Sequence, residues 1–211
     1  MSINSDAHKE DILHAAILEF GRMGYRAAST NEIVKNAKVS KGLLFHHFTN
    51  KEKLYTACQF YVFGEYGRFL AQRMHFSNRD FFDRVMEGVK IKMEFGRLHP
   101  EFMGFINRAW YQDQEDNPLE RSETQGVVID AIEESAPSTL FFDGLDTSLF
   151  REGMDLAKAF DYTRLVLEAC WLRFSLRHNH NYIKMLEDMG HLLAEIEDIV
   201  KMLKYGAYTR V

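Results

Sequence analysis

The residue types best suited to chemistry are concentrated in one short stretch, VSKGLLFHHFTNKEKLY, at positions 39–55. Its lysine ammonium groups and histidine ring nitrogens are hydrogen-bond donors, and such donors bind phosphate oxygens and base edges. A metal site is disfavoured because His46 and His47 are adjacent, and neighbouring side chains of a helix point about 100° apart. The stretch therefore predicts binding to a polyanion.

Positive charge is concentrated around this stretch, although the chain as a whole is acidic. The 211 residues carry a net charge of −5. Within residues 22–53, seven lysine and arginine side chains accompany two glutamates, which gives a local charge of +5. Residues 56–211 hold 18 basic and 25 acidic side chains, which gives −7. A basic end on an acidic body can bind phosphate groups while the body keeps the protein in solution.

The composition is that of a helical protein with a substantial core. Apolar residues make up 46% of the chain, and there are three prolines. Cys58 and Cys170 have neither the spacing of a zinc site nor that of a disulfide framework, which indicates a reducing compartment. The sequence shows no signal-peptide pattern and no apolar run of about 18 residues. We therefore expect a cytoplasmic protein without a membrane segment, a metal or a cofactor.

Helical periodicity runs through the sequence and predicts an all-α fold. Ser29 with Glu32, and Thr49 with Glu52, have the spacing of capping boxes, and Ser40 is expected to cap a third helix. The predicted helices cover about 8–23, a short segment from 30, 40–48, 51–74, 79–97, 100–113, 118–135, 151–177 and 181–205.

The first fifty residues predict a small domain of their own. Their helix starts and stops are closely spaced, which indicates a DNA-binding domain over 1–50 and a larger helical domain over 51–211. Two short helices joined by a tight turn, the second one basic, are typical of a helix-turn-helix, whose second helix enters the major groove. Lys41 can reach a phosphate or a guanine edge. Gly42 removes a side chain where backbone and DNA approach closely.

The segment FGRMGYRAASTNEIVKNAKVSKGLLFHHFTNKEKLY resembles the DNA-binding segment of TetR-type (tetracycline-repressor-like) transcriptional regulators, and the resemblance covers residues 9–55. It implies a three-helix DNA-binding domain, a helical ligand-binding domain and a homodimer on palindromic operator DNA. Most such proteins are repressors released by a small molecule. The resemblance places DNA contacts at Thr30, Ser40, Lys41, Gly42, Leu44, Phe45, His46, His47 and Lys51. One histidine of the adjacent pair is equally well explained as packing against the domain core.

Two positions depart from the pattern of the family. Phe45 stands where tyrosine is common, so a phenol–phosphate bond worth about 1 kcal/mol is missing. Lys38 occupies a turn position where glycine is frequent, and a positive φ there costs a non-glycine residue about 1 kcal/mol.

The middle helices are rich in methionine and aromatic side chains. Most of these should be ordinary core. The resemblance implies a cavity among them, and flexible methionine with rigid aromatics suits an apolar or aromatic effector. The candidate effector-binding residues are Met93, Phe105, Trp110 and Trp171.

Two seams of apolar residues at alternating spacings of three and four mark the last helices. They suit either dimerisation, as the resemblance implies, or packing against the core of the same chain. The residues expected at a dimer interface are Leu167, Phe174, Leu186, Met189, Leu193, Ile196 and Val200.

Other function classes fit the sequence less well. An all-α enzyme is the main alternative to a regulator, but HExxH, GxSxG and glycine-rich phosphate loops are absent from the sequence. The acidic body disfavours a non-specific DNA-packaging protein. A transcriptional activator remains an alternative, because repression depends on the position of the operator.

Overall fold

The computed structural model describes residues 2–111 and 139–207, and these residues are predominantly α-helical. Within these ranges the other regular elements are a 3-10 turn at Thr147–Leu149 and an isolated bridge residue, Phe150. The all-α fold is thereby confirmed, whereas the predicted helix over 118–135 lies outside the described residues. The helices are α1 (Ser2–Ala27), α2 (Thr30–Asn36), α3 (Lys41–Phe48), α4 (Lys51–Arg73), α5 (Phe81–Leu98), α6 (Pro100–Tyr111), α7 (Thr139–Phe142), α8 (Leu156–Arg177), α9 (Tyr182–Glu187) and α10 (Met189–Ala207).

The chain packs as two compact units. The first comprises residues 1–69 and 99–135, and the second comprises residues 70–98 and 136–211. The functional division at residue 50 stays a prediction. None of the described helices combines the length and the apolar character that a membrane crossing requires.

In the first unit, α1 packs against both α2 and α6. Gly21 permits the close approach of α6, because a Cβ at this position would lie 3.3 Å from the backbone nitrogen of Phe105. The Phe20 and Tyr55 rings meet edge to face at 4.9 Å, which joins α1 to α4. The helix-turn-helix is therefore built on a base of three longer helices.

The helix starts test the capping predictions. Ser40 is confirmed as the N-cap of α3, since its Oγ accepts a hydrogen bond from the backbone N–H of Leu43 at 3.1 Å. The capping box of Ser29 and Glu32 is wrong. The Ser29 side chain caps nothing, and its backbone N–H donates to Oε1 of Glu19 at 3.0 Å.

The second predicted capping box, Thr49 with Glu52, is also wrong. Thr49 ends α3 with a φ of 63°, so it belongs to the preceding helix. The next residue, Asn50, caps α4, because its Oδ1 accepts the backbone N–H of Lys53 at 2.8 Å. The predicted helix start at Lys51 is nevertheless confirmed.

In the second unit, two of the predicted helices have different bounds. α8 begins at Leu156 and not near 151, because Asp155 accepts hydrogen bonds from the N–H groups of Ala157 and Lys158 at 3.0 and 3.2 Å. The single helix predicted over 181–205 is interrupted at Asp188, which separates α9 from α10.

The seams predicted for the dimer interface lie largely inside the second unit. Phe174, Met189, Ile196 and Val200 are buried within the single chain, and Leu167, Leu186 and Leu193 are half-buried. Packing against the same chain, the alternative left open by the sequence, accounts for the four buried residues.

Candidate nucleic-acid interface

The helix-turn-helix consists of α2, a tight turn and α3. Lys38 adopts a φ of 55°, which confirms the positive φ expected where glycine is frequent. The backbone N–H of Val39 donates a hydrogen bond to the carbonyl of Val34 at 3.0 Å and closes the turn. Ser40 then begins the second helix, so the chain reverses direction within four residues of the end of α2.

The recognition helix α3 has one buried side and one open side. Leu44 and Phe48, one turn apart, are buried, with Leu44 fully so at 0% exposure. Leu44 therefore anchors the helix, and its predicted contact with DNA stays a prediction. Lys41, Gly42 and His46 lie on the exposed side.

Gly42 is not required by packing within the protein. Among the described residues, a Cβ at this position would meet only Oγ of Ser40, at an ordinary 3.8 Å. A glycine inside a helix costs roughly 0.5–1 kcal/mol relative to alanine. The packing of the described residues therefore gives no reason for the missing side chain.

Lys41 is already oriented by the preceding helix. Its ammonium group donates to Oδ1 of Asn31 at 3.0 Å. Asn31 follows Thr30, the half-buried first residue of α2, so the N-terminal ends of α2 and α3 lie side by side. Asn31 was not predicted from the sequence, because no local rule connects residues ten positions apart.

Lys51 lies at the start of α4 and is engaged with the end of α1. Its ammonium group donates to the backbone carbonyl of Arg26 at 3.0 Å and lies 5.1 Å from the centre of the Tyr25 ring. Burial lowers the pKa of Lys51, and the charge of Glu19 partly opposes this shift. Lys51 thus ties α4 to the α1–α2 connection and stays half-exposed.

The two histidines differ in environment. Their ring centroids are 5.5 Å apart, and His46 is exposed whereas His47 is half-buried. Nε2 of His47 is covered and has no hydrogen-bond partner. His47 is therefore the member of the pair that packs inward. Among the described residues, no group of three or more His, Cys, Asp and Glu side chains could hold a metal ion.

The remaining predicted contacts, Ser40 and Phe45, also lie at α3. Ser40 is exposed, and its Oγ accepts the cap bond while its hydroxyl proton remains available to an external acceptor. Phe45 is half-buried, so part of its ring reaches the surface. The short helix α3 and its cap thus carry hydrogen-bond donors, a glycine without a side chain and a partly exposed aromatic ring.

Comparison with known proteins identifies this arrangement. The sequence model described as bacterial regulatory proteins, tetR family, matches residues 12–58. The chain is 41% identical over 49 residues to the transposon Tn10 TetC protein of Escherichia coli. It is 47% identical over 47 residues to the HTH-type transcriptional regulator QacR of Staphylococcus aureus. Residues 12–58 of this chain are therefore of the TetR type.

The matches to these two relatives cover a minor part of each chain. They span 23% and 22% of this chain and 25% of the length of each relative. The fold likeness reaches further. A TetR family transcription regulator from Marinobacter aquaeolei VT8 covers 100% of both chains with a TM-score of 0.65 at 16% identity. A TetR family transcriptional regulator from Chloroflexus aurantiacus J-10-FL has a TM-score of 0.64 at 20% identity. The alignment covers 100% of this chain and 96% of that protein.

The residues predicted to bind an effector differ in their surroundings. Met93 is buried in the second unit, where Trp171 is half-buried with its ring centroid 6.4 Å from that of Phe174. Phe105 is buried in the first unit, 5.5 Å from the Tyr55 ring. The side chain of Trp110 lies outside the described residues. These assignments stay predictions.

Proposed function

We propose that the protein is a transcriptional repressor that binds a palindromic operator as a homodimer and is released by a small apolar or aromatic effector. The observation that carries the DNA-binding part is the open side of α3, where Lys41 and His46 flank a glycine that internal packing does not require. A regulator of this kind acts where the chromosome is, in the cytoplasm.

The proposed contacts divide by chemistry. Lys41 supplies a charge to a phosphate or a guanine edge, and His46 donates to phosphate. Gly42 allows the backbone of α3 to approach the duplex. The hydroxyl groups of Thr30 and Ser40 and the ammonium group of Lys51 contact the DNA backbone and fix the register of the helix.

The homodimer is supported by an apolar stripe on α8 that the described residues leave uncovered. Tyr162, Leu165, Leu172 and Leu176 follow one another at spacings of three, seven and four, and Leu165 and Leu176 are 53% and 55% exposed. Such a stripe suits an antiparallel helix of a second copy related by a two-fold axis. At about 100° per residue, this stripe lies on the side of α8 opposite the seam that was predicted from the sequence.

Release by an effector is proposed to act through α4. This helix is continuous from Lys51 to Arg73, and its 23 residues span about 34 Å at 1.5 Å per residue. Two-fold operators require recognition helices about 34–36 Å apart, so a tilt of α4 that changes this separation weakens binding. The effector and DNA must then weaken each other by the same factor.

Footprinting of the purified protein on DNA upstream of its own gene tests the function. A discrete, two-fold symmetric footprint is expected, together with reduced transcription from that DNA in a purified system. An activator would give the footprint with increased transcription. A protein that protects no discrete site is not a regulator of this type.

A second experiment tests the release mechanism. A thermal-shift screen of apolar aromatic compounds first finds a compound that binds. That compound is then titrated into the protein with and without operator DNA. Weaker compound binding in the presence of DNA is expected, and equal affinities would leave a DNA-binding protein without this release mechanism.

A further inference from the structure

Glu19 is an ionisable side chain in the interior of the DNA-binding region. It lies on α1 between the buried residues Ile17 and Phe20 and is only 4% exposed. Burying a carboxylate is costly unless hydrogen bonds compensate. The contacts of Glu19 therefore indicate what the side chain does.

Its two oxygens have different partners. Oε2 accepts from Nη2 of Arg22 at 3.1 Å, but the Arg22 side chain is largely exposed, and exposed ion pairs contribute little. Oε1 accepts the backbone N–H of Ser29 at 3.0 Å. A bond from a backbone N–H to a buried carboxylate is charge-assisted and is the stronger of the two.

Ser29 is the residue at which α2 begins. Its own side chain makes no capping bond, so Glu19 supplies, from ten residues away, the anchor that local capping does not. α2 has seven residues with Ile33 buried, and a helix this short depends on tertiary contacts. A negative charge at its N-terminal end also interacts favourably with the helix dipole.

The start of α2 is linked in turn to the recognition helix. Asn31, two residues after Ser29, accepts a hydrogen bond from the ammonium group of Lys41 at 3.0 Å. A continuous set of contacts thus leads from Glu19 through Ser29 and Asn31 to Lys41. Glu19 lies at the buried end of this set, and Lys41 lies at its exposed end.

We propose that Glu19 is a positioning residue for DNA binding, whose buried carboxylate fixes the first turn of α2 and thereby the placement of Thr30 and Lys41. This inference rests on the proposed DNA-binding function. It predicts a change in DNA affinity opposite to the one that electrostatics alone would give. Removing a negative charge close to DNA should strengthen binding, whereas loss of the positioning bond should weaken it.

The test compares Glu19→Leu with Glu19→Gln, using a duplex that the wild-type protein selects from a random-sequence library. Glu19→Gln loses the charge but keeps an oxygen acceptor for the Ser29 N–H, so its affinity should remain close to wild type. Glu19→Leu should lose affinity by roughly tenfold or more, the equivalent of one charge-assisted hydrogen bond. Its helix content by circular dichroism should be unchanged, because leucine suits a buried helix position.

Glu32→Gln is the matched control, since it removes the same charge from α2 without contacting Ser29. Glu32 pairs with Lys35 at 3.5 Å on the same helix. Its loss should leave the affinity unchanged or slightly higher. If Glu32→Gln weakens binding as much as Glu19→Leu, the loss of affinity is not specific to the bond with Ser29, and the positioning role is wrong.

Hydrogen exchange at the Ser29 amide gives a second readout, which reports directly on the N–H that Glu19 accepts. The amide should be protected in the wild-type protein and exchange faster in Glu19→Leu. Rapid exchange in the wild-type protein overturns the inference, as does wild-type affinity in Glu19→Leu. If the wild-type protein selects no duplex, the proposed function fails with it; if only Glu19→Leu binds as wild type, the proposed function stands.

Discussion

The ammonium group of Lys41 on α3 lies 3.0 Å from Oδ1 of Asn31 on α2, so a side-chain bond joins the N-terminal ends of the two helices. Hydrogen bonds between exposed groups contribute little net free energy. A phosphate or guanine oxygen can therefore replace Asn31 as the partner of Lys41. The bond holds the lysine near the position where DNA would meet it.

Lys41→Ala should weaken binding to operator DNA and reduce its dependence on salt. Each neutralised phosphate contributes about 0.9 to the slope of log K against log salt, so a dimer that loses two contacts should show a slope smaller by about 1.8. The measurement is a set of binding isotherms between about 50 and 200 mM salt. Lys90→Ala, a surface substitution in the second unit, should leave the slope unchanged. An unaltered slope in Lys41→Ala would exclude a phosphate contact.

Gly42→Ala should change stability and DNA binding in opposite directions. The new Cβ meets only Ser40 Oγ at 3.8 Å, and alanine is favoured over glycine in a helix by about 1 kcal/mol, so the free protein should unfold at a slightly higher temperature. The same methyl group should block the approach of α3 to the duplex. Gly64→Ala, within α4, is the control for the helix gain alone. If Gly42→Ala retains operator affinity, the backbone of α3 does not approach DNA here.

Local rules predicted much of the N-terminal region, because its helix boundaries depend on neighbouring residues. The cap by Ser40 and the positive φ of Lys38 follow from interactions within a few positions. The capping box at Ser29 failed because Glu19 competes for the same N–H from ten residues away. A charged residue inside the apolar stripe of α1 was the available signal for such a contact.

Periodicity could not determine which side of α8 is buried. The predicted seam, which includes Leu167 and Phe174, and the exposed stripe, which includes Leu165 and Leu172, both follow helical spacing. Helical spacing identifies an apolar face but not the molecule that covers it. The two faces are distinguished by tertiary packing against the same chain, which no single-helix pattern contains.

Asp188→Asn should lower stability in a pH-dependent way. Hydrogen bonds, first with His191 and then with His178, lower the pKa of the Asp188 carboxyl group below its usual range. Because the folded-state pKa is below the unfolded value of about 3.9, the stabilisation is complete above that pH and is lost as the pH falls through the folded-state pKa. Melting temperatures of the two proteins should therefore differ at neutral pH and converge in acid.

Asp198→Asn on α10 is the control for the change of charge. Asp198 is exposed on the same helix. A difference between wild type and Asp188→Asn that persists unchanged below the folded-state pKa would show that the hydrogen bonds of Asp188 do not supply the stabilisation.

Leu165→Glu should dissociate the proposed homodimer and, through it, weaken DNA binding. The side chain is 53% exposed in the single chain, so the substitution costs little in the folded protomer. In a dimer whose α8 stripes pack against each other, the two glutamates would be buried without partners. Burying each of these charges costs several kcal/mol. Sedimentation velocity should show a monomer at concentrations where the wild-type protein is a dimer. Operator affinity should fall with it, because each protomer then binds one half-site alone.

Leu98→Glu, the same change at an exposed position of α5, should remain dimeric. If Leu165→Glu sediments like the wild-type protein, the second copy binds elsewhere, and the exposed stripe on α8 has another role.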